Sequence, residues 1–124
     1  MFRMLVIDDN IEFQTMVSCY FTDLGYKVGL AKDGREGLAQ ARAFKPDIIL
    51  LDVMMPDIGG IEVIRELQSS EELRAIPVLI MTGTYFDRNM SELFKQESNC
   101  KEFLSKTMEL SWVAKRVEAL LEKK

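Results

Sequence analysis

The sequence predicts an α/β fold, a doubly wound parallel sheet with helices on both faces. Five short apolar runs alternate with five helical patterns along the 124 residues, and strict strand–helix alternation implies a parallel sheet covered on both sides. Right-handed crossovers then leave the doubly wound arrangement. Two of the runs are nearly continuous aliphatic stretches that stop at a charge. Met4-Leu5-Val6-Ile7 meets Asp8-Asp9, and Asp47-Ile48-Ile49-Leu50-Leu51 meets Asp52. A run of this kind reads as a buried strand reaching the edge of its sheet.

In chain order, Arg3 to Ile7 is the first strand. Asn10 to Leu24 is a helix, with Phe13, Met16, Val17, Tyr20 and Leu24 at helical spacing and Gly25 as its stop. Lys27 to Ala31 is the second strand. Asp33 caps the next helix, with Glu36 three residues on at capping-box spacing. That helix ends near Phe44, where Pro46 blocks its continuation. Asp47 to Leu51 is the third strand, Pro56 to Gly60 a loop, and Ile61 to Gln68 the third helix. Pro77 opens the fourth strand, Val78 to Met81. A weaker amphipathic helix spans about Asp87 to Gln96, and Asn99 is expected in a left-handed cap conformation. Lys101 to Leu104 is the fifth strand. Leu110 to Leu121 is the last helix, burying Leu110, Val113, Val117, Leu120 and Leu121 and leaving Trp112 on the opposite side.

Composition narrows the function. Net charge is −4 with no basic block, which argues against direct nucleic-acid binding. The chain has no histidine, so it carries no Ser-His-Asp or Cys-His machinery, no imidazole ligand and no phosphohistidine. Cys19 and Cys100 have no CxxC spacing. Cys19 reads as a small core residue and Cys100 as structural. Asp8 interrupts any signal-like apolar stretch, and no run reaches membrane-spanning length, so a cytoplasmic location is expected and no membrane partner. Residues 1–124 read as one domain, with no effector domain following the last helix.

If the first and third strands are parallel neighbours, Asp8, Asp9 and Asp52 meet at the carboxyl edge, where doubly wound folds bind ligands. Like charges packed together disfavour ionisation unless a cation intervenes. The cluster therefore suggests a metal site, and a metal beside a carboxylate suggests phosphoryl chemistry.

Four motifs, at the ends of the first, third, fourth and fifth strands, resemble the receiver domain of two-component response regulators. They are Asp8-Asp9, Asp52 in Asp52-Val53-Met54-Met55-Pro56-Asp57, Thr82-Gly83, and Phe103-Leu104-Ser105-Lys106. Each motif alone is common; the specificity lies in the ordered set. The resemblance covers the whole chain and implies a flavodoxin-like, five-stranded sheet in the order 2-1-3-4-5. It implies Mg²⁺-dependent transfer of a phosphoryl group to Asp52 from a histidine kinase or a histidine phosphotransfer protein. The chain would then be a signalling phosphoacceptor, catalysing only its own modification and its reversal.

The resemblance also assigns roles. Asp9, Asp52 and the Met54 carbonyl would bind Mg²⁺, with Asp8 acting mostly through a bound water. The plain alternative for Asp8-Asp9 is helix capping before Asn10, and capping by one of the pair can coexist with metal binding. Asp52 would be the nucleophile in a loose transition state that needs mainly positioning and charge neutralisation. Lys106 would span roughly 10 Å of sheet to reach a phosphoryl oxygen. Thr82 would donate its hydroxyl to the phosphoryl group, and its alternative is a turn-forming Thr. Phe103 would be the switch aromatic, with ordinary core as its alternative. The face built by the fourth helix, fifth strand and fifth helix would then change shape and meet a downstream effector, and the same face admits a homodimer. Trp112 is either a contact on that face or a ring laid over the helix's first turn.

The chain also departs from the family. Thr107 stands where a proline usually follows the lysine, which predicts a trans Lys106–Thr107 bond or a strained loop. Gly59 replaces an aspartate. Met54 and Thr84 flank the path of hydrolytic water and are poorly suited to orient it, which predicts a phosphoryl lifetime that is not unusually short. A degenerate receiver that only docks is disfavoured because the acidic set, Thr82 and Lys106 are all present. A hydrolase is disfavoured because Asp8-Asp9-Asn10-Ile11 is not Asp-x-Asp-x-Thr.

Overall fold

Alternating residues of each central strand supply two separate cores. Leu5, Ile7, Ile49, Leu51, Val78 and Ile80 face one side, while Met4, Val6, Ile48, Leu50, Leu79 and Met81 face the other. The computed structural model describes residues 2–52, 59–82, 96 and 98–122. The strands are β1 (Arg3–Ile7), β2 (Lys27–Ala31), β3 (Ile48–Asp52), β4 (Val78–Thr82) and β5 (Cys100–Ser105). The described helices are α1 (Ile11–Asp23), α2 (Gly34–Phe44), α3 (Gly60–Ser69) and α4 (Leu110–Glu122). The sheet is parallel throughout, in the order β2-β1-β3-β4-β5. α2 and α3 cover the first core, and α1 and α4 cover the second.

The predicted helix over about 87–96 lies outside the described residues save Gln96, and so do Met54, Thr84 and most of the loop from Pro56. β3 begins and ends one residue later than predicted. Asp47 stands before the ladder, its Oδ2 accepting from the Arg3 main-chain N–H at 2.8 Å. Asp52 thereby enters the ladder, opposite Met81.

α1 is rotated from the predicted phase. Its buried residues are Phe13, Gln14, Val17 and Phe21, while Met16 and Leu24 are half exposed at 48% and 50%. Phe21 fills the space beneath the sheet instead, with Tyr20 and Tyr26 edge-on, both at 5.4 Å. Cys19 is exposed rather than a core residue. It lies two positions past Val17, and two steps of about 100° carry it to the outer face. Gly25 ends the helix region at φ 99, as its position predicts.

Asn99 does not adopt the predicted left-handed conformation. Among the described non-glycine residues only Lys45 has a positive φ, 53°, and it caps α2. Asn99 is instead buried, its Nδ2 donating to the Ile64 carbonyl at 3.2 Å. Just after it, the ladder of β4 and β5 shifts by one residue. Val78 pairs with Cys100 but Leu79 pairs with Glu102, leaving Lys101 as the extra residue of a bulge. That shift turns Phe103 toward the α3 side and Leu104 toward α4.

Candidate acceptor site at the carboxyl edge

Pairing of Ile7 with Leu51 brings the residues that follow, Asp8 and Asp52, level at the carboxyl edge. One carboxylate oxygen from each of Asp8, Asp9 and Asp52 lies within 4.8 Å of the others. Asp8 and Asp52 are buried at 1% and 6% exposure, and Asp9 is exposed. The N-cap of α1 is neither aspartate but Asn10, whose Oδ1 accepts from the Phe13 N–H at 2.9 Å. Asp8 Oδ1 in turn accepts from the Asn10 N–H at 2.9 Å. These bonds fold the segment after β1 back onto the sheet edge.

Lys106 enters from the far side. Its main-chain N–H donates to the Thr82 carbonyl at 2.7 Å, continuing the β4–β5 ladder by one residue. Its ammonium reaches 2.7 Å from Asp8 Oδ2 and 3.6 Å from Asp52 Oδ2. The same ammonium lies 4.8 Å from the centre of the Phe13 ring, a wall that favours a cation. The long side chain therefore spans the sheet as the strand order requires. The Lys106–Thr107 peptide is trans, since the described residues contain no cis bond. Ser105 and Thr107 share a hydroxyl hydrogen bond of 2.7 Å, and Ser105 Oγ accepts from the Thr107 N–H at 3.1 Å. The Met108 N–H donates to the Ser105 carbonyl at 3.0 Å, so hydrogen bonds hold the turn after Lys106.

The acidic set suits Mg²⁺. All three ligand groups are hard oxygen donors. Asp8 Oδ2 is buried and accepts no directed hydrogen bond, so its contact with Lys106 is an ion pair only. Three carboxylates there face one ammonium, and a divalent cation would balance the remaining negative charge. Met54, the predicted carbonyl ligand, lies outside the described residues.

Thr82 closes β4 and is buried, opposite Ser105 in the ladder. Phe103 stands opposite Ile80 and is half-buried against the α3-side core. Thr82 and Ile80 are two residues apart on one strand, so Thr82 and Phe103 are diagonal neighbours on one face. Trp112 is 57% exposed on α4, with Lys115 Nζ 4.9 Å from its ring centre. Arg116 clamps Glu102 of β5 in a two-pronged pair at 2.7 and 3.1 Å, which raises the Arg116 pKa through the hydrogen bond and the charge of Glu102. Sequence reasoning missed Gln14, a buried amide whose Nε2 donates to the carbonyls of Asp8 and Ala31. The available signal was a polar residue one position after Phe13, on the inner side of a helix leading out of the acidic pair.

Comparison with known proteins agrees with the fold. The chain matches the family model described as the response regulator receiver domain over residues 4–118. It is 30% identical over 121 residues to Protein PilH of Pseudomonas aeruginosa, covering 98% of both. It is 34% identical to the DNA-binding dual master transcriptional regulator RpaA of Synechocystis, spanning 98% of this chain and 49% of that protein. Among solved structures, the Vibrio cholerae chemotaxis protein CheY4 superposes with a TM-score of 0.88 at 29% identity, covering 96% of this chain and 98% of that one. A CheY-like receiver domain protein from Methanospirillum hungatei superposes at 0.92 with 20% identity, covering 99% of this chain and 95% of that one, a likeness of fold alone.

Proposed function

The chain belongs to the response regulator receiver domain family, and on that premise we propose that it is the phosphoacceptor of a two-component phosphorelay, with Asp52 as the acceptor. The observation that carries this reading is the convergence of Asp8, Asp9, Asp52 and the Lys106 ammonium at one sheet edge. A carboxylate oxygen of Asp52 attacks the phosphorus of a phosphohistidine on a histidine kinase or histidine phosphotransfer protein. The new P–O bond forms as the P–N bond breaks, and its electron pair leaves with the imidazole nitrogen. Asp8, Asp9, Asp52 and the Met54 carbonyl would hold Mg²⁺, which when bound neutralises charge building on the phosphoryl oxygens.

Lys106 acts from the opposite side. Its ammonium already sits between Asp8 and Asp52, within reach of an oxygen on the incoming group. Thr82 donates its hydroxyl to another. Movement of Thr82 opens space beside its diagonal neighbour, and Phe103 turns inward, a shift between two populations of one fold. The face that includes β5 and α4 thereby presents a changed surface to an effector or a second copy, with Trp112 as a contact. The chain is a signalling unit that modifies only itself, and residues 1–124 act as one receiver. A cytoplasmic setting, where thiols stay reduced, suits the exposed Cys19. Among the described residues no helix is long and apolar enough to cross a membrane.

The test is incubation with Mg²⁺ and either acetyl phosphate or beryllofluoride, repeated with Asp52→Ala and with the metal chelated. Modification or conformational change that depends on both Asp52 and Mg²⁺ is expected. Its absence in the unaltered protein would overturn the reading.

A further inference from the structure

Gln14 has no part in the chemistry above, yet its side chain reaches the acidic pair from behind. Nε2 donates to the main-chain carbonyl of Asp8 at 2.7 Å and to that of Ala31 at 2.6 Å. A primary amide has two N–H donors, and both are committed to strand ends here. The two carbonyls lie at the end of the ladder between β1 and β2, whose last pair is Ile7 with Ala31. The Asp8 N–H also donates to the Ala31 carbonyl, at 3.0 Å. Gln14 therefore ties together the carboxyl ends of two strands from a helix that starts three residues before it.

The Asp8 carbonyl and the Asp9 nitrogen share one rigid peptide plane. Holding that oxygen fixes the plane from which the Asp9 side chain departs. Main-chain bonds fix the rest of the turn, since the Gln14 N–H donates to the Asn10 carbonyl at 3.0 Å and the Asn10 N–H donates to Asp8 Oδ1. Burying an amide among Phe13, Val17 and the sheet is unfavourable unless its donors are used. An apolar side chain of equal length would fill the same volume and leave the Asp8 carbonyl unheld.

We infer that Gln14 is a positioning residue for the cation site, setting the Asp9 carboxylate against Asp8 and Asp52 and thereby setting affinity for a hard divalent cation. The inference rests on the reading of the acidic cluster as a Mg²⁺ site. Groups that orient metal ligands through hydrogen bonds change metal affinity when removed, although they touch no metal.

Three variants of the full chain separate positioning from general stability. Gln14→Met keeps length and loses both donors. Gln14→Asn keeps the amide and shortens its reach by one methylene. Val17→Ala removes core volume from the same helix face and leaves the clamp in place. Mg²⁺ is titrated directly by calorimetry and by the amide resonances of Asp9 and Asn10, with far-ultraviolet circular dichroism to establish folding. Phosphorylation by acetyl phosphate is then followed at limiting and at saturating Mg²⁺. Both Gln14 variants are expected to bind Mg²⁺ about tenfold more weakly, the usual scale for such an indirect support. Their rate deficit at limiting metal should vanish at saturation, and Val17→Ala should melt earlier with unchanged Mg²⁺ affinity. Unchanged affinity in a folded Gln14 variant, or an equal loss in Val17→Ala, would overturn the inference. Failure of the unaltered protein to bind Mg²⁺ is a separate outcome that overturns the cation-site reading beneath it.

Discussion

The two halves of the carboxyl edge are built differently. At the β1–β3 end, β3 buries every residue and β1 all but its first. Asp8 there is tied through Asn10, Gln14 and Lys106. At the β4–β5 end, β5 is an edge strand that buries one residue of its six, Leu104. Phe103 on that strand is only half-buried, and its neighbour Glu102 is held by an exposed pair to α4. The backbone of a strand buried on both faces resists rearrangement, because interiors are close-packed. An edge strand with few buried apolar contacts has a low cost of local rearrangement. On the proposed reading the β1–β3 end is preorganised for charge, and β5 is the strand better able to change.

The largest expected effect lies in the rigid half. Asp52→Ala should abolish phosphorylation by acetyl phosphate, read by intact-mass spectrometry, while the melting temperature stays near that of the unaltered protein. Lys106→Ala bridges the halves and should slow modification by about a hundredfold, since it removes one preorganised charge from the developing anion. Rapid-quench or gel-shift kinetics at saturating Mg²⁺ would measure it, and a near-normal rate would mean that Lys106 only neutralises Asp8.

Truncations to alanine then compare the halves by stability. Leu50→Ala in β3 should cost about 3 kcal/mol in urea unfolding. Phe103→Ala in β5 should cost about 1 kcal/mol, as a half-buried ring gives up only part of its burial. The second variant should still accept a phosphoryl group but lose most of the accompanying change in the surface around Trp112, followed by its fluorescence. Similar losses of stability in the two variants would erase the proposed contrast. The smallest effect is expected from Arg116→Ala, whose exposed pair with Glu102 should leave the melting temperature unchanged within error.

The same contrast governs how much was legible in the sequence. β1 and β3 were readable because apolar runs buried on both faces stop abruptly at Asp8 and Asp52. Strand order then put those ends together, and the reach of a lysine side chain accounts for Lys106. The phase of α1 was not readable, because Met16 and Cys19 are as apolar as the residues that face inward. Tertiary packing of Phe13, Val17 and Phe21 into the sheet core, with Phe21 edge-on to Tyr26, decides between the two faces. Gln14 was hidden because its partners lie 6 and 17 residues away, on strand ends that local pattern does not connect. The side taken by Phe103 depends on one bulged residue, Lys101, and a bulge inserted there leaves no mark in the alternation of so short a strand. The position of Asn99 before β5 suggests a backbone role, whereas its side chain holds α3.

The central claim is that Asp52 accepts the phosphoryl group in a Mg²⁺-supported site. The most direct measurement is residue-level mapping. The protein is phosphorylated with Mg²⁺ and acetyl phosphate, reduced with borohydride, which converts an aspartyl phosphate to homoserine, and sequenced by tandem mass spectrometry. Homoserine at position 52, lost when the metal is chelated, is the predicted result. Homoserine at another aspartate, or at position 52 in equal yield without metal, would contradict it.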